Sequence, residues 1–295
     1  MNKILNKAKI SDTIFKMTVE APLIAEERKA GQFIILSLDN ELAERIPLTI
    51  AGADEEKGTI DIIFQIAGKT TKVLANLEEG DFIANIVGPL GRPTVIKNFG
   101  HAVCVCGGIG GAPMLPIVEA LKKAGNKVTV ILGARSKDLV VLQEELSHYA
   151  DEFILCTDDG SAGRKALVTE PLLELCKSES NAPDMVMTIG PPLMMKYAAE
   201  TTRPFKIKTY ASLNTIMIDG TGMCGGCRVT VGGENKFVCV DGPEFDAHLV
   251  DFDNMTKRLN SFKDRERQMD HQCNLDEEIA YLRSLQKEKD AELIK

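Results

Sequence analysis

A glycine-rich stretch near residue 220 holds the most concentrated set of metal-binding side chains in the sequence. Three of the eight cysteines, Cys224, Cys227 and Cys239, lie close together there, and Asp219 precedes the first of them. Asp219 and Cys224 are separated by four residues and Cys224 and Cys227 by two, a spacing found in loops that hold a [2Fe–2S] cluster. The intervening glycines leave backbone N–H groups free to donate to sulfur. The pattern therefore predicts a metal centre with Asp219, Cys224, Cys227 and Cys239 as ligands.

Two other interpretations of this loop remain open. Three cysteines and one aspartate also satisfy the tetrahedral coordination of a Zn²⁺ ion. Alternatively, the thiols bind nothing, although exposed free cysteines on a glycine loop are prone to oxidation. The other cysteines lack such spacing. We expect four of them to be inert core residues, because free cysteine is among the most buried residue types: Cys104, Cys106, Cys156 and Cys176.

Two glycine loops in the middle of the chain point to a nucleotide. The first, Gly107–Pro113, follows an apolar strand-like run and precedes a helical segment, so glycine backbone and a helix N-terminus could face a phosphate. The second, at residues 189–195, follows the last predicted strand of the same sheet. Ligands bind at the carboxyl ends of parallel strands, where both loops lie. The candidate nucleotide-binding residues are Gly107, Gly108, Gly110, Gly111, Ala112, Pro113, Gly190, Pro191 and Pro192.

The N-terminal third carries two weaker motifs. The first is Arg45-Ile-Pro-Leu-Thr-Ile-Ala51, in which a threonine hydroxyl could hydrogen-bond a flavin ring nitrogen. The second is Gly68-Lys-Thr-Thr71, a turn that could supply backbone and hydroxyl donors to a pyrophosphate. Each motif alone is ordinary strand or turn sequence, so both depend on their context.

Hydrophobic patterning divides the chain into four segments that could position these motifs. Residues 1–97 predict an antiparallel β barrel, and residues 98–205 alternate strands with helices, as a parallel α/β sheet does. Residues 206–250 are glycine-rich, predicted to be irregular and to bind the metal centre. Residues 251–295 are charged and predicted to form a helical extension whose last helix begins near Asn274. The barrel strands are predicted at 14–20, 31–38, 59–66 and 81–88. The strands of the α/β sheet are predicted at 102–106, 127–132, 152–156 and 184–189, and its helices at 114–123, 138–149 and 167–176.

Composition excludes several classes of function. The chain of 295 residues has 35 Lys and Arg against 43 Asp and Glu, a net charge of −8, with 5% aromatic residues and no Trp. An acidic, aromatic-poor chain is not typical of nucleic-acid-binding proteins. No apolar run approaches the roughly 18 residues of a membrane helix, and the N-terminus lacks a signal-peptide pattern. We therefore expect a cytoplasmic protein that binds neither nucleic acid nor membranes.

The four motifs, in this order over roughly residues 1–255, resemble the ferredoxin–NADP reductase superfamily. Within it, they are similar to the electron-transfer subunits of dihydroorotate dehydrogenase. They resemble more closely the small (alpha) subunits of NADH-dependent ferredoxin:NADP oxidoreductase, which have aspartate at the position of Asp219, and the similar sulfide dehydrogenase subunits. The resemblance implies an FAD-binding barrel, a nicotinamide-nucleotide domain and a C-terminal [2Fe–2S] loop at a subunit interface.

The resemblance also implies a function. The chain would exchange a hydride with NAD(H) and single electrons with a larger flavin/iron–sulfur subunit, in a heterodimer or larger assembly. That assembly would bifurcate electrons among NADH, NADPH and ferredoxin. Flavin must stand between the other two groups, because nicotinamide moves two electrons and the cluster one. FAD contacts are implied for Arg45, Pro47, Leu48, Thr49, Phe64, Gln65, Ile66, Gly68, Thr70 and Thr71.

The sequence leaves the nucleotide and the exact activity open. Arg135 could face the 2′-phosphate of NADPH, whereas Asp158 and Asp159 would repel it, and the resemblance favours NADH. Other activities consistent with the motifs are an electron-transfer subunit of sulfide dehydrogenase or dihydroorotate dehydrogenase and a stand-alone flavin reductase with a zinc loop. A regulatory subunit that keeps the fold without binding flavin is a further alternative.

Overall fold

The computed structural model describes residues 1–38, 44–266 and 268. Seven strands in the first 90 residues form one antiparallel sheet with the order β6–β1–β2–β5–β4–β3–β7. The strands β6 and β7 occupy opposite edges of this sheet and are separated in the chain by Ala84 alone, so the sheet curls into a nearly closed barrel. The strands are β1 (Asn2–Lys9), β2 (Ile14–Glu20), β3 (Phe33–Ser37), β4 (Ile46–Asp54), β5 (Thr59–Gln65), β6 (Phe82–Ile83) and β7 (Asn85–Leu90). Two helices, α1 (Pro22–Glu27) and α2 (Lys69–Asn76), accompany them.

The predicted antiparallel barrel is confirmed, with differences at its ends. β2, β3 and β5 fall within the strands predicted over 14–20, 31–38 and 59–66. The single strand predicted over 81–88 is instead the pair β6 and β7. β1 was not among the predicted strands, because only Ile4 of its residues is buried and the strand therefore shows no alternation of apolar and polar positions.

A second seven-stranded sheet has the order β11–β10–β9–β8–β12–β13–β16, parallel except for its last strand. Its strands are β8 (His101–Gly107), β9 (Lys127–Ala134), β10 (Glu152–Thr157), β11 (Arg164–Lys165), β12 (Met185–Ile189), β13 (Lys208–Ser212) and β16 (Glu244–Asp246). The strands β14 (Arg228–Val231) and β15 (Glu234–Phe237) form a separate hairpin between β13 and β16 in the chain. The helices of this part are α3 (Gly111–Lys123), α4 (Gln143–Tyr149), α5 (Thr169–Lys177) and α6 (Pro192–Thr202). The chain adds β9, β10 and β11 on one side of β8, and then β12 and β13 on its other side. This reversal of the strand order opens a crevice at the carboxyl ends of β8 and β12.

The predicted α/β sheet is confirmed, and one helix is shorter than predicted. The helix expected over 138–149 begins only at Gln143, because residues 137–139 form a separate 3₁₀ turn. Leu142 then adopts a left-handed conformation with φ of 57° and packs into the core. A non-glycine residue in that conformation cannot continue a right-handed helix.

The stretch predicted as irregular contains regular structure. β13 and β16 extend the parallel sheet beyond residue 205, and the hairpin β14–β15 leads into the short helix α7 (Val238–Asp241). Helix α8 (Phe252–Leu259) follows. The limits of the four predicted segments stay a prediction. The helix predicted from Asn274 lies outside the described residues.

One apolar core joins the barrel to the parallel sheet. It combines barrel residues such as Ile14 and Ala51 with α3 and the inner face of β8. Cys104 and Cys106 lie in this core, and Cys156 and Cys176 lie in the core on the other face of the sheet, as predicted. Burial raises the pKa of Cys104 to about 12 and that of Cys106 still further, so these thiols stay protonated.

None of the helices in the described part of the chain is both long enough and apolar enough to cross a membrane.

Candidate functional site

The glycine loops after β8 and β12 touch each other, and glycine is required for that contact. A β-carbon on Gly110 would collide with the carbonyl oxygen of Ile189, and one on Gly190 would lie 2.7 Å from Met194 Cε and 3.2 Å from the backbone nitrogen of Gly107. Gly108 has φ of 55° and faces open space. The loop leads directly into α3, whose first-turn N–H groups lack helical partners. This geometry suits the approach of a dinucleotide pyrophosphate.

The loops after β9 and β10 are tied together beside this crevice. The Asp159 N–H donates to the carbonyl oxygen of Arg135 at 3.2 Å. The Asp159 carboxylate accepts the Ser161 hydroxyl at 2.6 Å and the Ser161 N–H at 2.9 Å, and these bonds hold the pKa of Asp159 below its usual range. Asp159 therefore stabilises its own turn, and Arg135 and Asp158 are exposed beside it.

The predicted flavin motif lies on β4, beside β3. Pro47, Leu48 and Thr49 are half-buried and pair with Ile35, Ile34 and Phe33. Arg45 precedes β4 and is exposed, whereas Gln65 and Ile66 are half-buried at the end of β5.

Phe64 on β5 is placed differently from the other predicted flavin contacts. It is 1% exposed and packs in the barrel core, with its ring 6.0 Å from that of Phe15. Only its main chain could therefore face a cofactor.

The Gly68 turn uses its hydroxyl groups within the protein. Thr71 Oγ1 accepts the N–H groups of Ala67 at 2.9 Å and Gly68 at 3.1 Å. The buried Thr70 hydroxyl donates to Glu44 Oε2 at 3.1 Å. Because both hydroxyls are engaged, the backbone N–H groups in the first turn of α2 are what this turn offers to an anion.

The four predicted metal ligands form two pairs. Cys227 and Cys239 are buried with their sulfur atoms 3.3 Å apart, close to the about 3.8 Å expected for two thiolates on one tetrahedral metal with bonds of about 2.3 Å. Asp219 Oδ2 accepts the Cys224 N–H at 2.7 Å, and the Cys224 side chain also hydrogen-bonds this carboxylate. The first pair is therefore sealed in the core and the second lies at the surface.

The loop that carries these pairs is built on left-handed glycines. Gly220, Gly222 and Gly225 have φ of 75°, 85° and 66°. A β-carbon on Gly220 would lie 2.6 Å from Leu90 Cδ1 and 2.9 Å from Ile35 Cγ1, so the loop begins in direct contact with the barrel. Backbone N–H groups reach the sulfurs: Gly226 N–H donates to Cys224 Sγ at 3.4 Å and Cys239 N–H to Cys227 Sγ at 3.5 Å.

The arrangement of the ligands in two pairs is compatible with a cluster of two metal ions. Among the residues that the structure describes, no three His, Cys, Asp or Glu side chains gather around one metal position. Two ligand pairs, each suited to one iron, together with N–H donors to sulfur, are what a [2Fe–2S] cluster requires. Asp219 can serve in such a pair because each carboxylate oxygen keeps a second lone pair after accepting one hydrogen bond.

Sequence reasoning missed Arg92, which ties the barrel to the cluster loop. Its Nε donates to the carbonyl oxygen of Val240 at 3.1 Å, and its backbone N–H donates to that of Gly242 at 2.6 Å. Val240 belongs to α7, which carries Cys239, and Gly242 directly follows this helix. The contact joins positions 148 residues apart, so no local sequence signal could have revealed it.

Comparison with known proteins agrees with this geometry. Residues 104–200 match the oxidoreductase NAD-binding domain, and residues 214–251 match the iron–sulfur cluster binding domain of dihydroorotate dehydrogenase B. A dihydroorotate dehydrogenase B (NAD(+)) electron transfer subunit homolog from Thermotoga maritima is 43% identical over 90% of this chain and 93% of its own. The corresponding electron transfer subunit from Streptococcus pneumoniae serotype 4 is 33% identical over 82% of this chain and 97% of its own.

Solved structures give the same result. The structure of an NADH-dependent reduced ferredoxin-NADP oxidoreductase, described for its insight into flavin-based electron bifurcation, matches with a TM-score of 0.88 at 41% identity, over 93% of this chain and 98% of that one. A ferredoxin NADP+ reductase from Neisseria gonorrhoeae, with a TM-score of 0.55 at 19% identity over 70% of this chain and 90% of that one, shares the fold. The chain therefore belongs to the family of dihydroorotate dehydrogenase B electron-transfer subunits, within the ferredoxin–NADP reductase superfamily.

Proposed function

We propose that this chain is the FAD- and [2Fe–2S]-containing electron-transfer subunit of a ferredoxin:NADP oxidoreductase that performs flavin-based electron bifurcation. It would exchange a hydride with NAD(H) and single electrons with a larger flavin/iron–sulfur subunit. The 41% identity to a structure described for flavin-based electron bifurcation supports this assembly. Asp219 supports it as well, because the small subunits of such enzymes also have aspartate at this position.

One observation carries the proposal: the cluster loop starts on the strands that border the predicted flavin motif. Gly220 packs against Ile35 of β3, and Ile35 pairs with Pro47 of β4. The same barrel shares a core with α3, whose N-terminus forms the nucleotide loop. The cluster loop thus begins beside the predicted flavin motif, and the helix after the predicted nucleotide loop packs on the same barrel. Electron transfer between the three groups would require such proximity, which supports the proposal.

Different residues of the chain would bind the nucleotide, the flavin and the cluster. The loops around Gly110 and Gly190 would hold the dinucleotide, the half-buried Thr49 would hydrogen-bond the flavin ring, and the first turn of α2 would bind the FAD pyrophosphate. Flavin bound there supplies the conversion between two-electron hydride transfer and one-electron transfer. Asp219 with Cys224 and Cys227 with Cys239 would hold the cluster, and Cys224 at the surface leaves that edge of the loop accessible to a partner.

An absorbance spectrum of the anaerobically purified full chain, with iron, zinc and sulfide analysis, tests the proposal. We expect flavin bands together with iron–sulfur charge-transfer bands and equal amounts of iron and sulfide. Flavin bands with zinc and without iron, even after anaerobic reconstitution, would instead identify a stand-alone flavin reductase. A protein with neither chromophore after reconstitution would point to a regulatory subunit.

The names of the relatives favour a second candidate. Proteins at 33–43% identity over most of this chain are described as electron transfer subunits of dihydroorotate dehydrogenase B or homologs of them. Purification of the chain with its native partner separates the two candidates. A complex that reduces two NADP⁺ with one NADH and two reduced ferredoxins, and needs both donors, supports bifurcation. A complex that couples NAD⁺ reduction to dihydroorotate oxidation supports the second candidate.

A further inference from the structure

Helix α8 is part of the cluster site, although it follows the residues that carry the predicted ligands. Asp251 caps it by accepting the Asn254 N–H at 2.9 Å. Its apolar face, Phe252 and Met255, is 6% and 1% exposed and lies in the same core as Cys227 and Cys239. Shared burial fixes the position of α8 relative to the buried ligand pair.

The last turn of α8 directs Arg258 at the cluster loop. Arg258 Nη2 donates to the carbonyl oxygen of Gly226 at 3.3 Å, in a partly buried position. Gly226 lies between Cys224 and Cys227, and its own N–H donates to Cys224 Sγ. The Gly226 carbonyl and the Cys227 N–H belong to the same peptide group. The guanidinium therefore polarises the backbone that links one ligand of each pair.

The cavity beside this charge is lined by basic and neutral residues in the part of the chain that the structure describes. Arg258 and Cys224 line one cavity of about 380 Å³, whose wall also includes Arg228 and Thr215. The residues that the structure places around this cavity include no aspartate or glutamate. The buried Thr215 hydroxyl has no hydrogen-bond partner among the described residues. Because the site is partly buried, the positive charge is screened less than it would be in bulk water.

We propose that Arg258 is a positioning residue that holds the cluster loop and raises the reduction potential of the cluster. The inference rests on the proposed function, since it requires an iron–sulfur cluster in this loop. Reduction adds one negative charge to the cluster. A nearby cation and polarised N–H donors stabilise the reduced form more than the oxidised form, and both are known determinants of cluster potential.

A redox titration of the cluster in the full chain, followed by electron paramagnetic resonance, tests this inference. Arg258→Met keeps the length of the side chain and removes its charge, whereas Arg258→Lys keeps the charge and removes the planar fork. Arg203→Met is the matched control, because Arg203 Nη2 also donates to a backbone carbonyl, that of His248 at 2.8 Å, outside this cavity.

We expect Arg258→Met to raise the ratio of oxidised to reduced cluster about tenfold at the wild-type midpoint, a downward shift of about 59 mV for a one-electron couple. Arg258→Lys should shift by less than half as much, and Arg203→Met should not shift. An unchanged midpoint in Arg258→Met would overturn the inference. If that variant holds no iron, Arg258→Gln decides, because it also removes the charge: a downward shift of the midpoint supports the inference, and a wild-type midpoint contradicts it. Absence of a cluster from the wild-type chain would instead contradict the proposed function.

Discussion

At the scale of single residues, Asp219 has two tasks in the cluster loop. Its Oδ1 accepts the Thr221 N–H at 2.9 Å and its Oδ2 accepts the Cys224 N–H at 2.7 Å. These bonds hold the pKa of Asp219 below its usual range and fold the loop around Cys224. The same carboxylate is the candidate fourth ligand. Substitutions at this position can therefore separate folding of the loop from coordination of iron.

Asp219→Ala and Asp219→Cys should behave differently. The alanine variant loses both the backbone acceptor and the ligand, so we expect iron to be retained about 10- to 100-fold more weakly. The cysteine variant keeps a ligand in place and should retain its iron with a changed reduction potential. Iron analysis during dialysis against a chelator, followed by a redox titration, measures both effects. Wild-type iron retention and potential in both variants would contradict a ligand role for Asp219.

Glu244 is a half-buried acid that the proposed function does not use. It lies on β16, where Thr94 Oγ1 donates to Glu244 Oε1 at 2.5 Å. A β-carbon on Gly31 would lie 3.0 Å from the same oxygen, so the barrel closes over this carboxyl. Burial raises the pKa of Glu244 to about 7 from an ordinary value of 4.5, although the Thr94 hydrogen bond acts in the opposite direction. The folded protein therefore holds a proton that the unfolded chain releases.

Glu244→Gln should remove a pH dependence from folding stability. Between pH 4.5 and about 7 the folded state binds more protons than the unfolded state, so the free energy of unfolding falls as pH rises. The wild type should lose roughly 3 kcal/mol over this range relative to the glutamine variant, at about 1.4 kcal/mol per pKa unit. Urea unfolding of both proteins at pH 4.5, 6 and 8 measures the difference. Parallel stability profiles would show that Glu244 is not protonated in the folded state.

At the scale of elements, sequence indicated what depends on local spacing and missed what depends on distant contacts. Alternation placed β2, an apolar run placed β5, and the spacing of Asp219 and Cys224 identified the cluster loop. β1 could not be found because only Ile4 faces the core. The burial of Glu244 depends on Thr94, 150 residues earlier, and the role of Arg258 depends on how α8 packs. Neither leaves a pattern in the sequence around it.

The contact between the loops after β8 and β12 allows a test by steric bulk alone. Gly110 has an ordinary right-handed conformation, so alanine fits its backbone, but the added β-carbon would collide with the Ile189 carbonyl oxygen. Overpacking of this kind typically costs about 1–3 kcal/mol. We expect Gly110→Ala to weaken NADH binding about tenfold or more, as measured by isothermal titration calorimetry. Gly233→Ala, on the β14–β15 turn, is the control: its β-carbon would meet open space, and the strain at its left-handed backbone (φ 83°) lies away from these loops, so it should bind NADH like the wild type. Equal affinities in the two variants would show that the loops need not touch.

At the scale of the whole molecule, the barrel and the parallel sheet are parts of one packed structure. Ile14, Ala51 and Ile63 of the barrel lie in the same buried cluster as Met114 of α3 and the inner face of β8. Arg92 adds a polar tie between the barrel and α7. Such coupling fixes the separations between nucleotide, flavin and cluster sites, on which electron transfer among them depends. It also predicts that a substitution that destabilises one part lowers the unfolding midpoint of the other.

Leu172→Ala tests this coupling from a distance. Leu172 is fully buried in the core on the outer face of the parallel sheet, a cluster that contains no barrel residue. Its truncation should cost about 2–5 kcal/mol. If the two parts unfold together, the urea midpoint for FAD release from the barrel should fall by the same amount as the midpoint followed by circular dichroism. Leu167→Ala, at a position 58% exposed, should move neither midpoint. An FAD-release midpoint that stays at the wild-type value in Leu172→Ala would show that the barrel unfolds independently.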